Sequence, residues 1–333
     1  MSGNRLKVFL SHGTDTFAGY FGEAALAELR THADVVRNTT DRDLRDGELA
    51  EAARGCQAII AFRGSPGTPA TFAASPELVA FLRCAVDIST IDVAAASAHG
   101  VLVTRATPGF VDSVAELGLG MILDLARGIS RIGQQYRRGE MPTPGRNLQL
   151  SASTLGIIGY GRIARRLEQI ALALGMTVLV HDPYTCPETS LEQVQAEADF
   201  LVCLAISSPE TANLMGAAAF ARMKRGGFFI NLSRGELVDE AALEAALDSG
   251  HLGGAAMDVG RAPDQMPSPR LARRADVVAT PHIGGVTPQA AYHQAMDTVR
   301  QIAALAAGRL PEGAVNAAEA SRLSRLGIDP RRS

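Results

Sequence analysis

Residues 155–182 read LGIIGYGRIARRLEQIALALGMTVLVHD, and their order decides the fold. Leu155–Ile158 is an apolar run of strand length. Gly159-Tyr160-Gly161-Arg162-Ile163-Ala164 is a glycine-rich turn. From Arg162 to Leu174 the apolar residues Ile163, Leu167, Ile170, Ala171 and Leu174 recur at the helical period. Gly175 stops that helix. Val178–Val180 reads as a second strand, and Asp182 lies just past its end. Strand, glycine turn, helix, strand and acid in this order describe a dinucleotide-binding βαβ unit. Gly159 allows the tight turn, Gly161 lets backbone approach a pyrophosphate, and Ala164 lets the helix pack close to the sheet. Arg162 and Ile163 open the helix whose free N–H groups receive the phosphates. Asp182 is placed to accept hydrogen bonds from ribose hydroxyls, and its charge repels a 2′-phosphate, so NAD is expected rather than NADP.

Outward from that unit the pattern continues in both directions. Toward the N-terminus, Leu6–Leu10, Val35–Val36, Ala58–Ala61, Leu82–Val86 and Val101–Val103 are candidate strands. Helical stretches such as Phe21–Arg30 and Val93–His99 separate them. Asp112–Arg138 reads as one long apolar helix, ended by the Pro/Gly-rich stretch Met141–Gly145. Later strands are expected at Phe200–Ala205, Phe228–Leu232, Ala255–Val259 and Val277–Ala279. A last long helix runs over Gln289–Ala307, followed by a polar, frayed tail from Ala317 to Ser333. Alternating strands and helices predict parallel sheets covered by helices on both faces.

Composition excludes several classes. The 333 residues suffice for two domains. A net charge of −3 gives no electrostatic case for nucleic acid or an anionic membrane. The apolar run near Leu6 is too short for a signal peptide or membrane span. Cys56, Cys84, Cys186 and Cys203 are scattered, as in reduced cytoplasmic proteins, and neither cysteines nor histidines have metal-ligand spacing.

Several segments in one order carry a resemblance. They are SVAELGLGMILDLARG (113–128), TLGIIGYGRIARRL (154–167), FFINLSRGELVDEAAL (228–243), GGAAMDV (253–259), TPHIGGVT (280–287) and AVN (314–316). In these the chain resembles the NAD-dependent D-2-hydroxyacid dehydrogenases. The resemblance implies two doubly wound α/β domains, with a Rossmann NAD domain (101–287) inserted into a flavodoxin-like substrate domain (1–100 and 288–333). It implies a small 2-hydroxy or 2-keto acid as substrate. It also implies a homodimer, with the region around Val114, Leu117, Leu119, Met121, Ile122, Leu125 and Ile129 clasping a partner.

The chemistry needs a base for the hydroxyl proton, a cation for the substrate oxygens and a coenzyme beside the C–H bond. Arg234, following a strand end in Asn231–Asp239, suits the cation, with Ser233 beside the coenzyme. His282, in Thr280–Gly285, suits the base, because an imidazole exchanges protons near neutrality. Asp258 is implied to touch the nicotinamide carboxamide; otherwise it is a strand-end cap.

Two departures from the family stand out. The glutamate expected five residues after Asp258, which would hold the histidine, is Pro263. Asp264 is one residue late and one methylene short. Either it orients His282 and favours the protonated ring, or it is a solvated loop residue. In the substrate loop, Arg83–Thr90, Ala85 and Asp87 stand where glycines are expected, with Val86 between them. Asp87 argues for a polyhydroxylated or cation-bearing substrate, unless it pairs with Arg83 or caps the following helix. The loop Thr107–Asp112 is one residue shorter than usual. Two other readings remain: a dehydrogenase of another small anion, formate or phosphite, and an NAD(H)-sensing protein like the C-terminal-binding corepressors.

Overall fold

The structure is a computed structural model that describes residues 5–142 and 147–329. The chain divides into two compact units, Met1–Gly109 with Pro288–Ser333, and Phe110–Thr287.

The first unit holds a parallel five-stranded sheet. Its strands are β1 (Leu6–Leu10), β2 (Ala33–Arg37), β3 (Ala58–Ala61), β4 (Ala80–Arg83) and β5 (Leu102–Arg105), in the order β2-β1-β3-β4-β5. Both faces are buried, and the period of two sorts the residues. Val8 and Leu10 enter one core, with Val299 and Ile302 of the helix Pro288–Ala306. Phe9 enters the other, with Ile59, Phe72 and Phe81. Such strands read as continuous apolar runs because each side has its own helix layer.

The second unit is also parallel. Its strands are β6 (Thr154–Ile158), β7 (Thr177–His181), β8 (Phe200–Cys203), β9 (Phe228–Asn231), β10 (Gly254–Met257) and β11 (Val277–Ala279), in the order β11-β10-β9-β8-β6-β7. Leu155 and Ile157 face one core, and Ile158 faces the other. The order reverses beside β6, because β7 and β8 leave it on opposite sides. The carboxyl end of β6 is therefore the switch point at which such sheets bind ligands.

The structure departs from four sequence expectations. The crossing between units falls at Gly109/Phe110 rather than after residue 100, because β5 hydrogen-bonds to β4 and belongs to the first sheet. β4 ends at Arg83 rather than Val86; the chain bends at Cys84–Val86, where Ala106 N–H donates to Ala85 O. The long helix is two helices, Val111–Arg127 and Ile129–Arg137, broken at Gly128, whose φ of 63° suits glycine. Its expected stop, Met141–Gly145, lies partly outside the described residues. The C-terminal tail is packed rather than frayed through Asp329. Its short turns bury Ala320, Leu323 and Ile328 in the first core, and Arg322 donates to the carbonyls of Ser75 and Leu78. The last four residues lie outside the described ones. Just before the tail, Asn316 accepts from Val103 N–H at 2.7 Å and donates to Val101 O, pinning the AVN segment to β5.

Candidate active site

The glycine turn after β6 has the form its sequence requires. Gly159 has φ +88°, and a Cβ there would come within 2.6 Å of Ala205 Cα. A Cβ on Gly161 would meet nothing within 4 Å, so this glycine faces open space. The helix Arg162–Ala173 starts at Gly161 with no side-chain cap, which leaves its first N–H groups free for an anion. Arg162 is exposed and Ile163 half-buried. Asp182 follows β7. Its carboxylate accepts from Tyr160 N–H at 2.9 Å, Tyr184 N–H at 2.9 Å and Thr185 N–H at 3.0 Å. Desolvation opposes ionisation, but these hydrogen bonds outweigh it and hold the carboxyl below its usual range. The acid therefore fixes the glycine turn and stays an acceptor at neutral pH. An open glycine cradle, an uncapped helix start and an ionised acid beside them fit a dinucleotide.

At the carboxyl end of β9, Asn231 clamps the next turn. It is fully buried; its Oδ1 accepts from Ser233 N–H at 3.1 Å and its Nδ2 donates to Arg234 O at 2.9 Å. Ser233 Oγ donates to Ala205 O, in the segment that packs on Gly159. Arg234 is exposed, and its guanidinium donates to its neighbour's carbonyl, Ser233 O, at 2.8 Å. Sequence reading did not single out Asn231. The available signal was a polar residue ending an apolar strand, which must find partners when buried.

Asp258, just past β10, is 3% exposed. Its Oδ1 accepts from Thr280 Oγ1 at 2.6 Å and Ile283 N–H at 2.9 Å, and its Oδ2 from Gly284 N–H at 2.9 Å. Its own carbonyl accepts from His282 N–H at 2.9 Å. The whole 280–284 loop is thus wrapped around one carboxylate. His282 sits there with φ 54°, a left-handed conformation that side chains other than glycine adopt rarely.

The expected pairing of His282 with the Asp264 carboxylate is corrected. His282 Nδ1 is 2.8 Å from the backbone carbonyl of Asp264. The Asp264 side chain is exposed and makes no hydrogen bond or ion pair among the described residues. The cause is the backbone: Asp264 and Gln265 have φ 56° and 61°, which turn the peptide carbonyl inward and the carboxylate outward.

The loop carrying Asp264 is tied to the turn carrying Arg234. Gln265 Nε2 donates to Glu236 at 2.9 Å, and its Oε1 lies 3.4 Å from Gly235 N. The Gln265 amide is the main reason that the Glu236 carboxyl is held below its usual range. Arg261 donates to the carbonyl of Val238 at 3.1 Å. A Cβ on Gly235 would fall 2.2 Å from the Gly260 backbone, so only glycine allows this approach.

Val86 and Asp87 lie in the first unit, past β4. Val86 is half-buried. Asp87 accepts from Ser89 N–H at 2.9 Å and Ser89 Oγ at 3.0 Å, and its carboxylate lies 3.7 Å from Arg63. It caps a turn rather than the next helix, which Asp92 caps. Its ion-pair partner is Arg63 rather than Arg83, which donates to Phe62 O and Thr90 Oγ1. Desolvation raises the Asp87 pKa, but the Ser89 hydrogen bonds and the two arginines prevail and lower it.

Among the described residues, no cluster of three or more His, Cys, Asp and Glu side chains is arranged to hold a metal ion. Nor is any helix there long and apolar enough to cross a membrane.

Comparison with known proteins agrees with this geometry. Residues 119–284 match the model of the D-isomer specific 2-hydroxyacid dehydrogenase, NAD binding domain. The D-3-phosphoglycerate dehydrogenase of Synechocystis is 30% identical over 297 residues, 85% of this chain and 53% of that protein. The chain spans about half the length of the curated relatives it matches. The TT0316 protein of Thermus thermophilus superposes with a TM-score of 0.77 at 28% identity, over 93% of this chain and all of that one. The D-lactate dehydrogenase of Lactobacillus jensenii, solved with NAD+, shares the fold, with a TM-score of 0.80 at 23% identity over 93% of this chain and all of that one. The chain belongs to the D-isomer specific 2-hydroxyacid dehydrogenase family, and the match to its NAD-binding domain falls within the second unit.

Proposed function

We propose that the chain is an NAD-dependent dehydrogenase interconverting a small D-2-hydroxy acid and its 2-keto acid. One observation carries this reading. Arg234 and His282 stand on turns at the carboxyl edge of one sheet, and a single loop, 260–266, is bonded to His282 and to Gly235 and Glu236 beside Arg234. When bound, NAD supplies the hydride acceptor, and NADH the donor. The chain supplies the rest. Arg234 holds the substrate carboxylate and polarises the oxygen on C2. His282 takes the hydroxyl proton on oxidation and returns it on reduction, exchanging it with solvent through its exposed edge. Gly159, Gly161, Arg162 and Ile163 receive the pyrophosphate, Asp182 the ribose, and Ser233 and Asp258 flank the nicotinamide end.

The paired state of Asp87 bears on the substrate. Its charge is taken up by Arg63 and Ser89, with Arg83 buried nearby, so it is not the unpaired acid that would favour a cationic substrate. The four free cysteines suit a reducing compartment such as the cytoplasm. We also propose a homodimer. Most apolar residues of Val111–Arg127 pack inside their own unit, but Leu123 on that helix and Ile129 and Tyr136 on the next remain exposed.

The deciding experiment is NADH oxidation with glyoxylate, hydroxypyruvate, pyruvate and larger 2-keto acids. Turnover of at least one, abolished in His282→Ala, supports the proposal; none with any of them overturns it. The neutral partner of His282 favours one second reading, oxidation of formate, which needs no proton transfer. NADH binding without any turnover would favour a sensor.

A further inference from the structure

We infer that the main-chain carbonyl of Asp264 is the positioning group for His282, fixing the ring as the Nδ1–H tautomer with Nε2 free toward the reacting oxygen. This deepens the proposed function and rests on His282 being the proton-transfer group.

A carbonyl only accepts hydrogen bonds. The Nδ1···O distance of 2.8 Å therefore requires a proton on Nδ1 in both the neutral and the charged ring. The lone pair that takes the substrate proton is then on Nε2. A carboxylate in the same place would also set the tautomer, but it would add a charge that favours imidazolium. Here the charge points to solvent and the dipole does the orienting.

The carbonyl is held by an unusual backbone. Asp264 and Gln265 are both left-handed, on one side of the contact, and His282 is left-handed on the other. Two closures keep the loop in that shape: Gly260 N–H donates to Gln265 O at 2.8 Å, and Ala262 N–H to Met266 O at 3.0 Å. The Gln265 side chain then braces the loop against Gly235 and Glu236, beside Arg234. Gln265 is thus a second positioning residue, linking the cation to the base through one peptide. Aspartate and asparagine are among the side chains that best tolerate the left-handed region, so Asp264 suits this backbone.

The experiment is 15N NMR of the histidine side chains in the full chain, assigned with His282→Gln, together with pH profiles of kcat/KM. Wild type should show a pyrrole-type Nδ1 and a pyridine-type Nε2 for His282 at high pH. Asp264→Asn should keep that tautomer and leave the profile midpoint within about 0.2 unit of wild type. Gln265→Ala should mix the tautomers and lower kcat about tenfold with KM little changed. An Nε2–H tautomer in wild type overturns the inference. So does a midpoint that falls by a unit or more in Asp264→Asn, or a Gln265→Ala variant with the tautomer and kcat of wild type. The NMR readout needs no turnover. A chain that is inactive on every 2-keto acid but has the Nδ1–H tautomer would lose the proposed function and keep this geometry.

Discussion

The carboxylate of Asp258 accepts the backbone N–H of Gly284 at 2.9 Å, across 26 residues of sequence. It also accepts the Ile283 N–H and the Thr280 hydroxyl, and so shapes the loop that presents His282. Asp258→Asn would turn an NH2 toward donors. A buried donor facing a donor costs about 1–3 kcal/mol. The expected result is that loss in denaturant unfolding, with kcat/KM reduced about 10-fold or more. Unfolding and kinetics identical to wild type would mean the loop is held by other contacts.

His282→Ala should lower kcat by about 10²–10⁴-fold on the best 2-keto acid, the usual contribution of a general acid–base group. Arg234→Lys keeps the charge but loses the planar fork, so it should lower kcat and raise KM together. Steady-state kinetics on both variants measure this. Full activity in His282→Ala would remove the acid–base assignment.

Asp182 should set coenzyme choice. Hydrogen bonds to an ionised acceptor are worth about 1.5–3 kcal/mol, or roughly 10–100-fold. Wild type should prefer NADH over NADPH in kcat/KM, and Asp182→Ser should narrow that ratio by about tenfold. A wild-type enzyme that uses NADPH equally well contradicts the assignment.

His12 predicts an acid-sensitive first unit. It is fully buried between Phe21 and Phe62, and neither ring nitrogen has a hydrogen-bond partner among the described residues. Burial first, then Arg83 and Arg37, pull its pKa from 6.5 down to about 3. The unfolded chain binds this proton below pH 6.5 and the folded chain does not until about pH 3. The stabilising contribution is therefore complete above 6.5 and is lost as pH falls toward 3, at up to about 1.4 kcal/mol per pH unit. His12→Phe, which keeps an aromatic ring against Phe21 and Phe62, should flatten the acid limb of stability against pH. An unchanged limb would place the sensitivity elsewhere.

The homodimer is tested by sedimentation at micromolar concentration. Wild type should run as a dimer and Ile129→Asp with Tyr136→Asp as a monomer, because buried unpaired charge is costly at an apolar contact. A wild-type monomer refutes it.

What was legible in the sequence was what local pattern controls. β1, β3 and β11 fall within a residue of their apolar runs, and Gly159 makes the tight, positive-φ turn its place after β6 indicates. Less legible was what depends on backbone direction. The break at Gly128 was hidden because both helices keep an apolar face on either side of it. The tail reads polar because its few large apolar residues, Leu323, Leu326 and Ile328, are isolated, yet Leu323 and Ile328 are buried and Leu326 packs against the same core. At the site, residue type singles out Arg234 and His282 as candidates, and both stand on turns past strands of one sheet. Residue type points to a side-chain acid as the partner of His282, where a peptide carbonyl stands.

That last feature bears on how the protein tolerates mutation. A side-chain partner is erased by one codon change, whereas every residue brings a carbonyl. The contact at Asp264 is therefore robust to changes of chemistry and fragile to changes of geometry. A deletion within residues 260–266, or a β-branched residue at 264, would harm it more than loss of the acid. Divergence in this loop should conserve its length and its left-handed pair while letting the letters drift.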